Sequence, residues 1–337
     1  MSRALIVHEA GPGVTVQDLG RPGWLAQGLS RGGAADRLAL LEGAALLGQA
    51  TDCAALEMAG YGGVFEVTES LRIALTGAPM AARAGKRPLE WTAAHRLEPG
   101  ERLTVGGARA GVYGYLHLGG GIASEPVMGS RSAHMAARIG GRVAAGDRLP
   151  VGPDAAQAAP MRLDVIDRTG GGELRILPVP QTELFAEAER RRFAATDFTR
   201  DPRGNRQGVR LVFDGAPFLG ASGLGLVSEV VQPGDVQLTG DGAPYVLLAE
   251  CQTTGGYPRI GTVLPCDLPR VAQAAPGTAL RFRFVDVEDA LAACRTEDET
   301  LRDLRNRLRP LVRAPGDIAD LLGYQLVSGV TAGEDAP

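Results

Sequence analysis

Four short segments of the chain carry more polar side chains than a turn requires. Thr15–Gly23 brings Gln17 and Asp18 just ahead of Gly20-Arg21-Pro22-Gly23. Gly119-Gly120-Gly121 leads on to Gly129-Ser130-Arg131-Ser132, which reads as the start of a short helix over 129–141, stopped by Gly140-Gly141. Unpaired amides at such a start, together with Arg131, would hold a carboxylate or a phosphate. The third segment is Asn205-Arg206-Gln207-Gly208. The fourth, Glu250-Cys251-Gln252-Thr253-Thr254-Gly255-Gly256-Tyr257-Pro258, follows the apolar run Tyr245–Ala249 and gathers an amide, hydroxyls and a phenol in one patch. Each alone is ordinary turn chemistry. Together they predict one anion- or amide-binding groove.

Other chemistries lack their residues. Lys86, in Gly85-Lys86-Arg87-Pro88, is the sole lysine, so no Gly-Lys-Ser/Thr phosphate loop exists. It does not lie between methionines, as a biotin-carrying lysine does, so biotin is not expected on this chain. His8, His95, His117 and His134 never fall at i, i+4 spacing, and Cys53, Cys251, Cys266 and Cys294 form no C-x-x-C pair; no metal site is predicted. Gly28-Leu29-Ser30-Arg31-Gly32 matches G-x-S-x-G, yet residues 21–27 do not read as the buried strand that a nucleophile elbow needs. The glycine-rich run 220–225 is followed by no periodic helix and does not predict a dinucleotide site. With 35 basic against 39 acidic residues, net −4, the chain lacks the positive field of a nucleic-acid binder. The opening MSRALIVHEAGPG is too weakly apolar for a signal peptide, and the run Leu38–Leu47 is interrupted by Glu42 and Gly43, so no membrane partner and a cytoplasmic location are expected.

The elements that must position these segments are mostly strands. At 337 residues, with 47 Gly and 22 Pro, the chain is long enough for two turn-rich domains. Short strands separated by Gly and Pro fill 55–118 and recur after 173, which predicts a mainly β fold of two barrel units with a few short helices. The halves rhyme weakly: Leu71–Gly77 and Asp235–Gly240 both end in Thr-Gly, and a later Pro-Gly turn feeds another strand. Asp36 is placed to cap a helix over the following apolar run, and Leu184–Phe198 supplies another. The expected boundaries are a first unit over 1–152, a linker crossed by one short strand over 153–172, and a second unit over 173–285. One long amphipathic C-terminal helix is expected over 286–313, with Leu301, Leu304, Leu308 and Leu311 on one face, then a tail over 314–337.

Thr15–Gly23, Ala74-Leu75-Thr76-Gly77-Ala78, Gly119–Ile122 with Gly129–Ser132, Ile176–Gln181 and Cys251–Val263 occur in an order that resembles the family of the 5-oxoprolinase C component. This family is also known as allophanate hydrolase subunit 2 or biotin-dependent carboxyltransferase, and includes an antagonist of a histidine-kinase inhibitor. The chain differs from the family pattern at Ser30, where proline is usual, at Gly32 for serine, at Gly43 and Gln49 for asparagines, at Val179 in the usual Gly-Pro-Gln, and at Glu250 for aspartate.

The resemblance implies two cyclophilin-like barrels and a place in a heteromeric complex that uses ATP to open 5-oxo-L-proline to L-glutamate. The implied partners are a smaller, kinase-inhibitor-like B component and a lamB-like A component; the ATP site is not located in this chain. For that reaction Arg131 and Arg206 would meet phosphate and Gln252 or backbone amides would donate to the developing oxyanion, making Arg131, Arg206 and Gln252 the candidate catalytic residues. Ser132, Thr253, Thr254, Tyr257, Gln17 and Asp18 are the candidate substrate-binding residues for a small amide or lactam. Two alternatives stay open: the carboxyltransferase component of a biotin-dependent urea or amide carboxylase, and a non-catalytic regulator that binds the kinase-inhibitor-like partner.

Overall fold

The computed structural model describes residues 3–155, 160–218 and 226–312. The glycine-rich run 220–225 and the tail 314–337 therefore lie outside the described residues, as does part of the expected linker.

The first unit is built from two antiparallel sheets. One runs in the order Arg148–Pro150, Ala4–Ala10, Tyr61–Val67, Arg102–Ala108, Met80–Ala84, Arg87–Pro88. The other runs Val14–Gln17, Ala55–Ala59, Tyr113–Leu118, Leu71–Gly77, Ala93–Leu97, Met161–Leu163, Leu308–Pro310. Alternating residues from each, among them Leu5, Phe65, Val105, Leu56, Ile73 and Leu116, interlock as the core. Every residue of Tyr113–Leu118 is buried, because the helix Arg37–Leu47 (α1) covers the outer face of that sheet. Asp36 caps α1 as expected, its side chain accepting from Ala39 N.

The second unit is a closed barrel of seven strands. Its order is Gly172–Leu177, Arg259–Val263, Asp235–Leu238, Pro244–Leu247, Gly208–Val212, Phe198–Asn205, Ala279–Phe284, the last pairing in parallel with the first. The helix Glu187–Ala195 (α2) places Phe193 against Phe198, Phe218 and Phe282, so half of the chain's eight phenylalanines sit in one cluster, with centroids about 5 Å from that of Phe193. The short helix Leu268–Gln273 (α3) faces the first unit.

Two expectations give way here. The C-terminal helix is two helices, Val287–Ala293 (α4) and Glu297–Asn306 (α5), followed by the strand Leu308–Pro310. Thr296 breaks it: its hydroxyl accepts from Glu299 N while the Glu299 carboxylate accepts from Thr296 N, a reciprocal cap that starts a new helix. Leu301 and Leu304 then pack against α1. Residues 129–141 form turns rather than a helix. The amide of Arg131 and the hydroxyls of Ser130 and Ser132 are taken by the Asp18 carboxylate, and Arg138 and Gly140 adopt positive φ, which a helix cannot accommodate.

Gly43 shows how α1 fits its sheet. A Cβ there would fall on the imidazole of His117, which is held at 2.7 Å by the Thr76 hydroxyl. Gly43→Ala gains about 1 kcal/mol of helix propensity but overpacks a closed site at about 1–3 kcal/mol or more. The variant should lose stability in urea denaturation, and adding His117→Ala should cost less than the sum of the single changes. Burial pushes the His117 imidazole down to about 3. Its folded value lies below its unfolded one, so the associated stability is present above about pH 6.5 and is lost as pH falls toward 3. A His117→Gln chain should show a flatter acid limb in pH-dependent denaturation.

Candidate active site

The two units meet where loops of the first are laid on strand ends of the second. Gly32 and Gly33, both at positive φ, turn the segment after Ser30 so that Gly32 N–H donates to Ala249 O at 3.0 Å. On the opposite side of the contact, the Gln273 amide of α3 joins Val112 and Tyr113 to Asp36: its oxygen accepts from both backbone amides and its nitrogen donates to Asp36 Oδ2 at 2.8 Å.

Charged side chains are buried along this seam. Arg206, on the turn after Phe198–Asn205, donates to Glu250 Oε1 at 2.5 Å, to Glu57 Oε1 and to the Gly33 carbonyl. Glu57 also accepts from the Tyr115 hydroxyl at 2.7 Å and from Ala35 N at 2.8 Å. Desolvation by burial would lower the Arg206 guanidinium, but Glu57 and Glu250 outweigh it and hold it well above its ordinary range. A second cation, Arg168, donates to Asp36 at 2.7 Å and to both oxygens of Glu42 at 2.7 and 2.9 Å. Residues 153–172 are thus more than a spacer: they add the strand Met161–Leu163 to the first unit and place Arg168 in its interior.

Beside Arg206, Ser30, His134 and Glu250 line up. His134 Nε2 lies 3.0 Å from Ser30 Oγ, and Nδ1 lies 3.8 Å from Glu250 Oε2. By residue type this is the order of a hydrolase triad. The proton is in the wrong place for one. Ala137 N–H donates to Nδ1 at 3.2 Å, so the neutral ring carries its hydrogen on Nε2 and donates to Ser30, where a triad base would accept. Burial lowers the His134 pKa although Glu250 opposes the shift, which favours that neutral ring. The residues before Ser30 are a 3-10 turn, Leu25–Gln27, with no elbow strand.

Ser30 lines a cleft of about 830 Å³ between the units, walled by Trp24, Leu29, Val231, Leu248 and Cys266 and bordered by α5. A smaller hollow of about 480 Å³ opens at the mouth of the second unit, lined by Asn205, Gln207, Gln237, Gln252 and Tyr257. The residues singled out from the sequence divide between separate places. Gln252, which donates to Gln237 at 3.2 Å, and the exposed Tyr257 share the smaller hollow. Thr254 pairs with Val230 in a two-residue strand and Thr253 O accepts from Val231 N. Asp18, Ser132, Gln17 and Arg131 gather in the first unit, where Asp18 collects Ser130, Ser132, Gly20 and Arg131 N, Gln17 spans Thr15 and Ala133, and Arg131 Nε reaches Ser124 O. Arg131 lines neither cavity. Arg206 is committed to two carboxylates. These two arginines therefore form no shared phosphate seat, and among the described residues no cluster of three His, Cys, Asp or Glu could hold a metal ion. No described helix is long and apolar enough to cross a membrane.

Residues 27–284 match the carboxyltransferase domain family, subdomain A and B. The chain belongs to this family. Within it, the C component of 5-oxoprolinase from Escherichia coli (strain K12) is 33% identical over 309 residues, covering 90% of this chain and 98% of that protein. The solved structure of TTHA0988 superposes with a TM-score of 0.77 at 30% identity, covering 84% of this chain and 56% of that one. K. lactis urea amidolyase gives a TM-score of 0.81 at 22% identity over 93% of this chain and 21% of its own, a likeness of fold alone. This chain thus spans little more than half of the first structure and about a fifth of the second.

Sequence reasoning gave no role to Arg21, Glu57, His134 or the cleft around Trp24. Glu57 carried a signal: a lone carboxylate inside the apolar strand Ala55–Ala59 calls for a buried partner. Arg206→Ala would leave Glu57 and Glu250 buried without their cation. It should lower unfolding free energy by about 3–5 kcal/mol in urea denaturation; a loss under about 1 kcal/mol would mean that water already reaches the pair.

Proposed function

We propose that this chain is the C component of an ATP-dependent 5-oxoprolinase, which hydrolyses 5-oxo-L-proline to L-glutamate together with a lamB-like A component and a kinase-inhibitor-like B component. The observation that carries the reading is length as well as likeness: the E. coli 5-oxoprolinase C component aligns over 98% of its length with 90% of this chain. That relatives at this likeness are named as one component of a larger enzyme supports a role within a multi-subunit assembly.

The reaction adds water across one amide bond. The water oxygen bonds to the lactam carbonyl carbon, the carbon–nitrogen bond breaks, and the ring nitrogen leaves as an amine that takes up a proton. The residues here contribute a concave, mostly apolar site with a few fixed donors, the kind of surface that suits a small cyclic amide. With Arg206 neutralised in place and Arg131 elsewhere, nucleotide chemistry is assigned to a partner protein, and no step on this chain is routed through ATP.

A second reading, the carboxyltransferase component of a biotin-dependent urea or amide carboxylase, is favoured by the matched family and by the fold likeness to urea amidolyase. Biotin would then arrive on another protein, since Lys86 stands on an exposed turn between Gly85 and Arg87.

The chain purified with its two partner proteins should release glutamate from 5-oxoproline when ATP is present and none without it. An intact complex that releases no glutamate above background overturns the proposal. ATP-dependent carboxylation of urea by a complex supplied with a biotin carrier would move the assignment to the second reading.

A further inference from the structure

Two cysteines far apart in the chain face each other at the wall of the cleft, with their sulfurs 3.3 Å apart. Cys266 stands on the turn that joins the strand Arg259–Val263 to α3. Asp267, next in the chain, holds that turn: its carboxylate accepts from Arg175 Nε at 2.8 Å and Nη2 at 2.6 Å, and its amide donates to Leu264 O at 2.9 Å. Cys294 ends α4, where its amide donates to Ala290 O at 3.0 Å. Ala290 and Ala293 seat that helix on Leu177, Leu264 and Val285 of the second unit. An ion pair fixes one sulfur and a small apolar contact the other.

The pair is open to a reagent. Cys266 is exposed and Cys294 half-buried, whereas Cys251 is buried. A disulfide needs its sulfurs about 2.05 Å apart, so these two must close by roughly 1.2 Å. Burial, and then the bond to the neighbouring sulfur, push the Cys266 thiol up to about 12, against the pull of Arg175, whose Nη2 lies 3.4 Å away. Near neutral pH the pair therefore rests as two thiols and reacts only while oxidant is sustained. A bond that includes so exposed a sulfur is of the readily reduced kind.

The position of Cys294 gives such a bond a consequence. The segment from α4 to α5 is a strap between the units: α4 lies on the second, while Leu301 and Leu304 of α5 pack against α1 of the first and Glu297 pairs with Arg37. Cys294 stands between the two helices, and residues of the strap border the cleft. The hold of α4 on the second unit is thin. Of its seven residues only Ala290 is buried, and Val287 and Leu291 are exposed. A helix this short depends on tertiary contact to persist.

We propose that Cys266 and Cys294 form a redox modification site, closed by a hydroperoxide into a reversible disulfide that pins α4 to the second unit at the rim of the cleft. In the first step one sulfur, having shed its proton, bonds to a peroxide oxygen. The oxygen–oxygen bond breaks, and hydroxide leaves and takes up a proton as water. The second sulfur then attacks the resulting sulfenic acid. The sulfur–oxygen bond breaks, and the departing hydroxide takes the second thiol's proton. Two thiols lose two electrons and two protons, and hydrogen peroxide becomes two waters. The site stands independently of the function proposed above.

The whole chain, reduced and then held in millimolar hydrogen peroxide, should yield a Cys266–Cys294 cross-linked peptide that dithiothreitol separates. By mass spectrometry it should be lighter by two hydrogens than the two peptides together. The amides of α4 should exchange with deuterium about fivefold more slowly or better in the oxidised chain, and return to the starting rate on reduction. Cys294→Ser and Cys266→Ser should each lose the cross-link and keep the faster exchange in peroxide, so one folded variant suffices. Should neither fold, the peptide map and exchange rates of the parent before and after reduction decide the matter. Two freely alkylated thiols after peroxide, a sulfinic or sulfonic acid at either in place of the cross-link, a bond to Cys53 or Cys251, or a bond between two chains would each overturn the site. A Cys266–Cys294 cross-link that leaves α4 exchange unchanged would overturn the pinning.

Discussion

A guanidinium taken out of water must find its counter-charge inside the protein, and at the seam between the units Arg206 finds two, one from each side. Glu57 comes from a central strand of the first unit and Glu250 from a strand end of the second. Neither carboxylate could be buried without the cation, and the cation could not be buried without them. An apolar seam could match this one in stability, but it would accept the units in several orientations. Three charged groups with directional bonds accept only one. Gln273 and Asp36 repeat the device on the facing side, with Arg168 closing the Asp36 and Glu42 charges. The cleft inherits its shape from this fixed geometry, because the loop that carries Ser30 and Gly32 is fastened to Ala249 and Arg206 at the same seam.

The same commitment decides which residues are available for chemistry. Arg206 already bridges two carboxylates and a carbonyl, so recruiting it to a substrate phosphate would break the contacts that hold the units. Asp18 shows the equivalent in the first unit. The donors around 129–132 that would suit an incoming anion are already satisfied by an internal one. What remains for a ligand is what these networks leave unclaimed.

Local features of the fold were legible because their causes are local. The Asp36 cap, the strand-rich pattern and the division into two β units follow from neighbouring residues and turn chemistry. The break of the C-terminal helix was legible in principle, since Thr296 and Glu299 spell a capping box; leucine spacing on either side masked it. The turns over 129–141 were not legible, because their donors are claimed by a carboxylate more than 100 residues away. Cys266 and Cys294, 28 residues apart, likewise bring their sulfurs within 3.3 Å at the cleft wall without any motif spacing. The candidate site divided for the same reason. Polar turns were found correctly as polar turns, but which of them face one cavity depends on how two barrels are docked, and that is set by buried charges whose partners no spacing reveals.

The trio Ser30, His134 and Glu250 shows why residue identity is too coarse a guide to mechanism. The three types stand in the order of a hydrolase triad and within reach of one another. In a triad the carboxylate accepts a hydrogen from Nδ1, which frees Nε2 to take the serine proton. Here the backbone of Ala137 occupies Nδ1 as a donor, and Glu250 spends its oxygens on Arg206 and Ala136 N. One backbone amide therefore reverses the direction in which the hydrogen bonds run. The imidazole becomes a donor to Ser30, so the same three side chains that would cleave an acyl group elsewhere leave the serine here without a base.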